Sequence, residues 1–262
     1  MRLTAQPVWL LVVVSLALAL LVAAGSRLAI GAIVPAGETD NVHAIAAPLM
    51  PALGATFAVL TALTLSSEAT YLRSAQDIVS REAADASRLA WASTSPGVSA
   101  VPIQDALGEY LQATRAGEWR GIDESGGADP PTSEALAQLE RVVREDAART
   151  ELGTPASTEL LTSLDAVTAG RRARIAAADR DLPGLYVVTL VASGVALIAN
   201  AGALAFRASL RASVLVACLA CVVGLSLALL FAIAAPWDGG LVATGEPIDA
   251  VLRDLRAGFF SS

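Results

Sequence analysis

The side chains able to do chemistry are few in this sequence. His43 is the only histidine, and lysine is absent. One imidazole cannot build a multi-histidine metal site. It would be the sole base for a hydrolytic triad, whose Gly-x-Ser-x-Gly elbow does not occur. A phosphate-binding P-loop needs the missing lysine. Cys218 and Cys221 have the spacing of a redox dithiol or half a zinc site, but they lie inside an apolar run with no second pair. They read as small residues of a membrane helix. His43 stands at the start of another apolar run and suits an interfacial or capping role. Asp123, Glu124 and Asp129 cluster without EF-hand spacing and read as a solvated loop. No catalytic residue, metal or cofactor is expected.

Charge carries the remaining candidates. Glu82 and Glu118 could line a vestibule and select ions, or sit in ion pairs with neighbours such as Arg81 or Arg171. Ion pairing is the plainer reading, because Glu and Arg dominate solvated helix faces. Arg171, Arg172, Arg174 and Arg180 gather just before an apolar run. They could meet lipid headgroups, pair with acidic helices, or draw anions toward a pore. Trp91 and Trp119 are expected in a helical core. From Ser66 to Pro183 there are 19 acidic and 12 basic residues, which alone accounts for the chain's net −7. That balance argues against nucleic acid as a partner.

These residues must be positioned by helices, four of them membrane-spanning. Of the 262 residues, 55% are apolar, and the mean hydropathy is +0.59. Leu3 to Ser26, Asn41 to Ser67, Leu182 to Phe206 and Ala212 to Trp237 each lack Asp, Glu, Lys and Arg. Each exceeds the roughly 20 residues that cross a bilayer. The predicted spans are 8–30, 47–67, 185–206 and 212–235, with Arg27 snorkelling near the end of the first. The run from Val8 to Ala24 is longer than a signal-peptide core and reads as a retained span. Inside the spans no ionisable side chain lies deep. The polar positions that could line a pore are Thr56, Thr61 and Thr64 in the second span and Thr189, Ser193 and Asn200 in the third. The lack of deep charge disfavours ion-coupled transport. Ser15, Ala19 and Ala23, and likewise Ala220, Gly224 and Ala228, form small-residue stripes that would let helices approach.

The fold class is therefore an all-α membrane protein: four transmembrane helices in two hairpins with an interposed helical extramembrane domain. Residues 1–67 hold the first hairpin, 68–183 the helical domain, 184–236 the second hairpin, and 237–262 a turn and short amphipathic helix. The second span runs on without Gly or Pro into a charged helix whose stripe is Leu72, Ala75, Val79, Ala83, Ala86 and Ala90. Pro48 and Pro51 suit its opening turns. Ser95, Pro96 and Gly97 end it. A helix from Pro102 to about Trp119 follows, then one from Thr132 and one from near Ser157 to Leu182. A last helix, Pro247 to Phe259, rests against either the helical domain or the membrane surface.

Short markers now accumulate: Glu82-Ala83 after the second span, Tyr110 then Glu118-Trp119, and Arg171-Arg172-Ala173-Arg174 before Leu182-Pro183. Pro236-Trp237-Asp238-Gly239 follows the last span. With the order span, span, helical domain, span, span, the chain resembles the bacterial bestrophin-like membrane family, to which no function is assigned. Many members carry Pro-Phe where this chain has Pro236-Trp237. The resemblance implies likeness to bestrophins, pentameric anion channels with four spans per subunit and a large cytosolic helical region. No bestrophin pore or calcium motif is matched residue by residue, so none is carried over. The expected protein is a homo-oligomer of the bacterial inner membrane, its helical domain and both termini cytoplasmic, forming a passive ion pathway. The alternative is a non-conducting membrane-anchored scaffold for a protein partner.

Overall fold

The structure, a computed structural model, describes residues 8–35, 39–119, 129–150, 152–178, 184–206, 209–233 and 243–260. Among them are α1 (Val8–Ile33), α2 (Thr39–Ala92), α3 (Ala100–Ala113), a π-helical turn (Thr114–Glu118), and α4 (Pro130–Ala147). After these come α5 (Thr154–Ala178), α6 (Gly184–Ala205), α7 (Leu210–Ile233) and α8 (Glu246–Arg256). No strand occurs among the described residues. Arg2, Asp123, Glu124, Arg180, Arg207 and the stretches Leu182-Pro183 and Pro236 to Gly239 lie outside them. The chain divides into two compact units: Met1–Tyr71 with Asp181–Val242, and Leu72–Arg180 with Ala243–Ser262.

The first unit holds four helices long and apolar enough to cross a membrane, and α2 supplies the second of these spans. Lipid removes the hydrophobic drive between helices, so close packing must hold them together. The small-residue stripes do this. A Cβ on Gly224 of α7 would sit 3.0 Å from the Ser15 carbonyl oxygen and 3.2 Å from the Ala19 methyl of α1. One on Gly194 of α6 would press on Val223 of α7 and Phe57 of α2, at 3.0 and 3.2 Å. Ala19, Ala23, Phe57, Leu190, Leu197, Ile198, Ala220, Val223 and Leu230 form the buried core.

Helix α2 begins at Thr39, so Pro48 and Pro51 lie inside it and not in its opening turns. Each proline leaves a carbonyl without its helical donor. In the same turn, Asn200 of α6 donates its Nδ2 to the Ala46 carbonyl at 2.9 Å, a polar tie between α6 and α2. Cys218 is exposed and Cys221 half-buried on α7, both free thiols.

The second unit packs the charged part of α2 against α3, α4, α5 and α8. Ala75, Val79, Ala83, Ala86 and Ala90 of α2 are buried, as are Ile103, Leu107 and Leu111 of α3. Leu139 and Val143 of α4 join Leu160, Leu164 and Val167 of α5. Gly97, at φ +86°, makes the reversal from α2 to α3 that a side chain would resist. Asp129 is the N-cap of α4: its carboxylate accepts from the Thr132 amide at 3.0 Å and the Thr132 hydroxyl at 2.8 Å, with Pro130 at the first helical turn. Helix α8 buries Ile248, Val251 and Leu252 within this unit, which settles its resting place against the helical domain. Trp91 departs from expectation. It is 51% exposed, and its ring meets those of Phe259 and Phe260 edge-on at 5.6 and 5.3 Å.

Candidate functional site

The inward faces of α2, α3 and α5 bring together a buried cluster of charge. Glu82 comes from α2, Tyr110 from α3, Glu118 from the π turn, and Arg171 and Arg174 from α5. Glu82, Glu118, Tyr110 and Arg174 have no exposed surface, and Arg171 is buried.

Local chemistry explains each placement. Gly170 lies one turn before Arg174 on α5. Its missing Cβ would stand 3.1–3.2 Å from the Cα, Cβ and Cγ of Glu82, so α5 and α2 approach closely there. At that separation Arg174 reaches sideways to Glu82 with its Nε at 2.7 Å and Nη2 at 3.3 Å. The π turn solves a problem of register. Tyr110 and Glu118 are eight residues apart, which an uninterrupted α-helix would set about 80° out of line at roughly 100° per residue. The turn adds one residue to the helical repeat, so the pair behaves as though seven apart and lies within about 20°. Its wider ring is closed by the Trp119 amide donating to the Thr114 carbonyl, a five-residue step.

The cluster is nearly saturated. The Tyr110 hydroxyl donates to Glu82 Oε1 at 2.7 Å. Arg174 Nη2 also donates to Glu118 Oε2 at 2.9 Å, so one guanidinium bridges both carboxylates. Arg171 donates from Nε to both Glu118 oxygens, at 3.0 and 3.2 Å, and from Nη2 to Glu118 Oε1 and the Ser133 hydroxyl. Of the buried polar atoms in these five side chains, Arg174 Nη1 lacks a hydrogen-bond partner. The Trp119 ring centroid lies 6.0 Å from that guanidinium carbon, at the edge of cation–π range.

Two carboxylates and two guanidiniums make the cluster neutral, the condition under which burial of four charges is tolerable. Burial alone works against the Arg174 charge, but the charge and hydrogen bonds of Glu82, with Tyr110 and Glu118 nearby, outweigh it and raise the pKa. Burial, then the Glu82 charge, pushes the Tyr110 phenol well above its ordinary range. Tyr110 therefore serves as a fixed donor. Chemically, the arrangement locks three helices together through charge-assisted hydrogen bonds.

On the outer side of the π turn, Arg115 faces α8. It grips Asp249 with two bonds, Nε to Oδ1 at 2.8 Å and Nη2 to Oδ2 at 3.0 Å, and its guanidinium stacks 4.8 Å from the Trp119 ring centroid. Elsewhere in the unit, buried Asp146 pairs with the exposed Arg149 at 3.0 Å. Arg88 donates to Glu159 at 2.9 Å, which lowers the Glu159 pKa and raises that of Arg88.

Of the residues singled out from sequence, Glu82, Glu118, Arg171 and Arg174 converge. Arg172 does not: it is exposed on the far side of α5. Glu82 and Glu118 face the bundle interior, so in this fold they do not line a water-filled vestibule. The partner of Glu82 is Arg174, while Arg81 points to solvent. In the membrane unit, Thr56 and Thr64 donate to carbonyls one turn back, at 2.9 and 2.8 Å. Thr61 Oγ1 is buried without a partner, and Asn200 spans to Ala46. Sequence reasoning did not single out Gly170, Arg115 and Asp249. The one available signal was glycine within otherwise helical runs, at Gly117 and Gly170.

Comparison with known proteins gives one result. The family model described as Bestrophin-like domain matches residues 16–248. No curated protein and no solved structure matches the chain.

Proposed function

The chain belongs to the bestrophin-like family, and on that premise we propose that it assembles as a homo-oligomer around a passive anion pathway in the bacterial inner membrane. The observation that carries the reading is the uneven burial of the spans. Only 11% of the apolar window of α2 is buried within the chain, against 39% for α6. The second span therefore presents most of its surface outward, and Thr56 lies on that exposed face. A pathway built between symmetry-related copies would place such hydroxyls along its wall, with apolar neighbours such as Val59 and Leu63 as constrictions. In this reading the chain performs no catalytic step. The helical domain, with its buried Glu82–Glu118–Arg171–Arg174 cluster, is a rigid cytoplasmic platform for the spans.

Purified protein in liposomes tests the proposal. Halide flux above that of empty vesicles, from a species whose mass in detergent is a multiple of one chain, is the expected result. Replacement of Thr56, Thr61 and Thr64 by Leu should reduce the flux. A monomer with no flux overturns the proposal and leaves the second reading, a membrane-anchored scaffold whose acidic surface recruits a protein. A reporter fused at Gly126 tests orientation: activity of a periplasmic reporter there would reverse it.

A further inference from the structure

Helix α8 and the outer face of α3 leave a groove between them within the second unit. Its volume is about 600 Å³, and it is lined by Gln112, Arg115, Ala116, Asp249, Leu252, Arg253 and Arg256. An adjoining cavity of about 290 Å³ shares Gln112, Leu252 and Arg256 and adds the apolar side chains of Val101 and Leu255 and the carboxylate of Asp105. The combination is a guanidinium-rich rim over an apolar floor. In the main groove three arginines face one carboxylate, although the chain as a whole carries −7.

The single carboxylate is already engaged: Asp249 holds Arg115 by two hydrogen bonds. That leaves Arg253 and Arg256, for which no carboxylate lies within ion-pair distance among the described residues. Acidic residues at the start of α8 and basic ones at its end match the helix macrodipole. The macrodipole explains their sign but not their direction. Asp249, Leu252, Arg253 and Arg256 follow helical spacing along one face of α8, and that face is the groove wall. Gln112 stands opposite with an amide that can donate.

We propose that this groove binds a phosphate-type oxyanion carried on a larger apolar or planar body. Arg253 and Arg256 would be its principal donors, with Gln112 and the outer edge of Arg115 beside them. Forked guanidiniums match the geometry of phosphate oxygens. A pocket of several hundred Å³ accommodates a small ligand, not a bare ion alone. The phosphate could belong to a soluble compound or to a lipid headgroup, and the chemistry of the groove is the same for both.

The test uses the full chain in a non-ionic detergent, with Arg253→Gln/Arg256→Gln and, as a control, Arg172→Gln. All three side chains are exposed, so the variants keep the fold. Inorganic pyrophosphate and short-chain phosphatidylglycerol are the two probes, read by calorimetry and by thermal shift. Saturable binding of either probe, weakened at least tenfold in the double variant and unchanged in Arg172→Gln, supports the site. The probe that binds then identifies the soluble or the lipid source. Failure of both probes to bind at millimolar concentration overturns the proposal, as does equal affinity in the double variant.

Discussion

Replacing Arg174 by Met tests whether charge balance governs the buried cluster. The substitution removes the bonds from Nε and Nη2 to Glu82 and from Nη2 to Glu118. Glu82 keeps only the Tyr110 hydroxyl, and two buried carboxylates then face one guanidinium. Breaking a fully buried pair costs about 3–5 kcal/mol. For a unit of this size each kcal/mol lowers Tm by about 3–5 °C, so Arg174→Met should fall by roughly 9–25 °C. Glu82→Gln leaves the opposite imbalance, one carboxylate for two guanidiniums. Since it keeps the shape and the Tyr110 bond, it should cost about 2–3 kcal/mol. Combining the two substitutions restores neutrality: the new amide oxygen still accepts from Tyr110, and Glu118 keeps Arg171. The double variant should therefore be no less stable than Arg174→Met alone, a coupling of about 2–3 kcal/mol in favour of the pair. The assay is thermal unfolding of the full chain in detergent, followed by tryptophan fluorescence, since Trp119 borders the cluster. If the two losses simply add, or if Arg174→Met shifts Tm by less than about 3 °C, charge balance is not what holds the site.

Further outcomes follow from neighbouring features. Tyr110→Phe should cost about 1.5–3 kcal/mol through the lost bond to a charged acceptor. Because the folded phenol's pKa lies above its unfolded value of 10.0, its contribution is intact below pH 10 and is lost as pH rises beyond it. The variant should thus show a flatter alkaline limb in a Tm-versus-pH series, and an unchanged limb would count against this role. Gly170→Ala gains about 1 kcal/mol of helix propensity but forces a methyl onto the Glu82 backbone, at about 1–3 kcal/mol. A lowered Tm is expected, and a raised one would show that α5 and α2 are not held in close approach there. Deleting Ala116, which is exposed in the π turn, should restore an ordinary α-helix while keeping Glu118 in line with Tyr110. Its Tm should then stay well above that of Glu118→Ala, and a comparable loss would refute the register account.

Much of this was legible from residue types. Charge-free windows locate the four spans, because lipid penalises ionised groups too strongly for many alternatives. Stripes of Ala, Val and Leu mark the buried faces of α2 to α5, since the 3.6-residue period is a property of the backbone. Glu82, Glu118, Arg171 and Arg174 stood out as charged residues near the spans. Ion pairing was the plainer reading, and Arg171 is indeed a partner of Glu118. The meeting of all four in one cluster, with Arg174 on Glu82, was not legible, because it depends on two facts invisible to α-helical periodicity. One is the extra residue in the π turn, which rotates Glu118 toward Tyr110. The other is Gly170, whose role appears only when a second helix crosses it. Trp91 misled because aromatic size suggests a core, whereas here the ring closes an edge with Phe259 and Phe260. Pro48 and Pro51 misled because propensity rules for water place proline at a helix start, whereas proline is tolerated inside membrane helices.

The cluster's span along the chain has a consequence for synthesis. Glu82 and Arg174 are 92 residues apart, and both carboxylates leave the ribosome before either guanidinium. At about 5–20 residues per second, roughly 5–20 s pass during which Glu82 has no counter-charge. Until then, burying Glu82 and Glu118 is unfavourable. Arg171 and Arg174 supply the counter-charge, so closing the cluster is favoured only once α5 has been made.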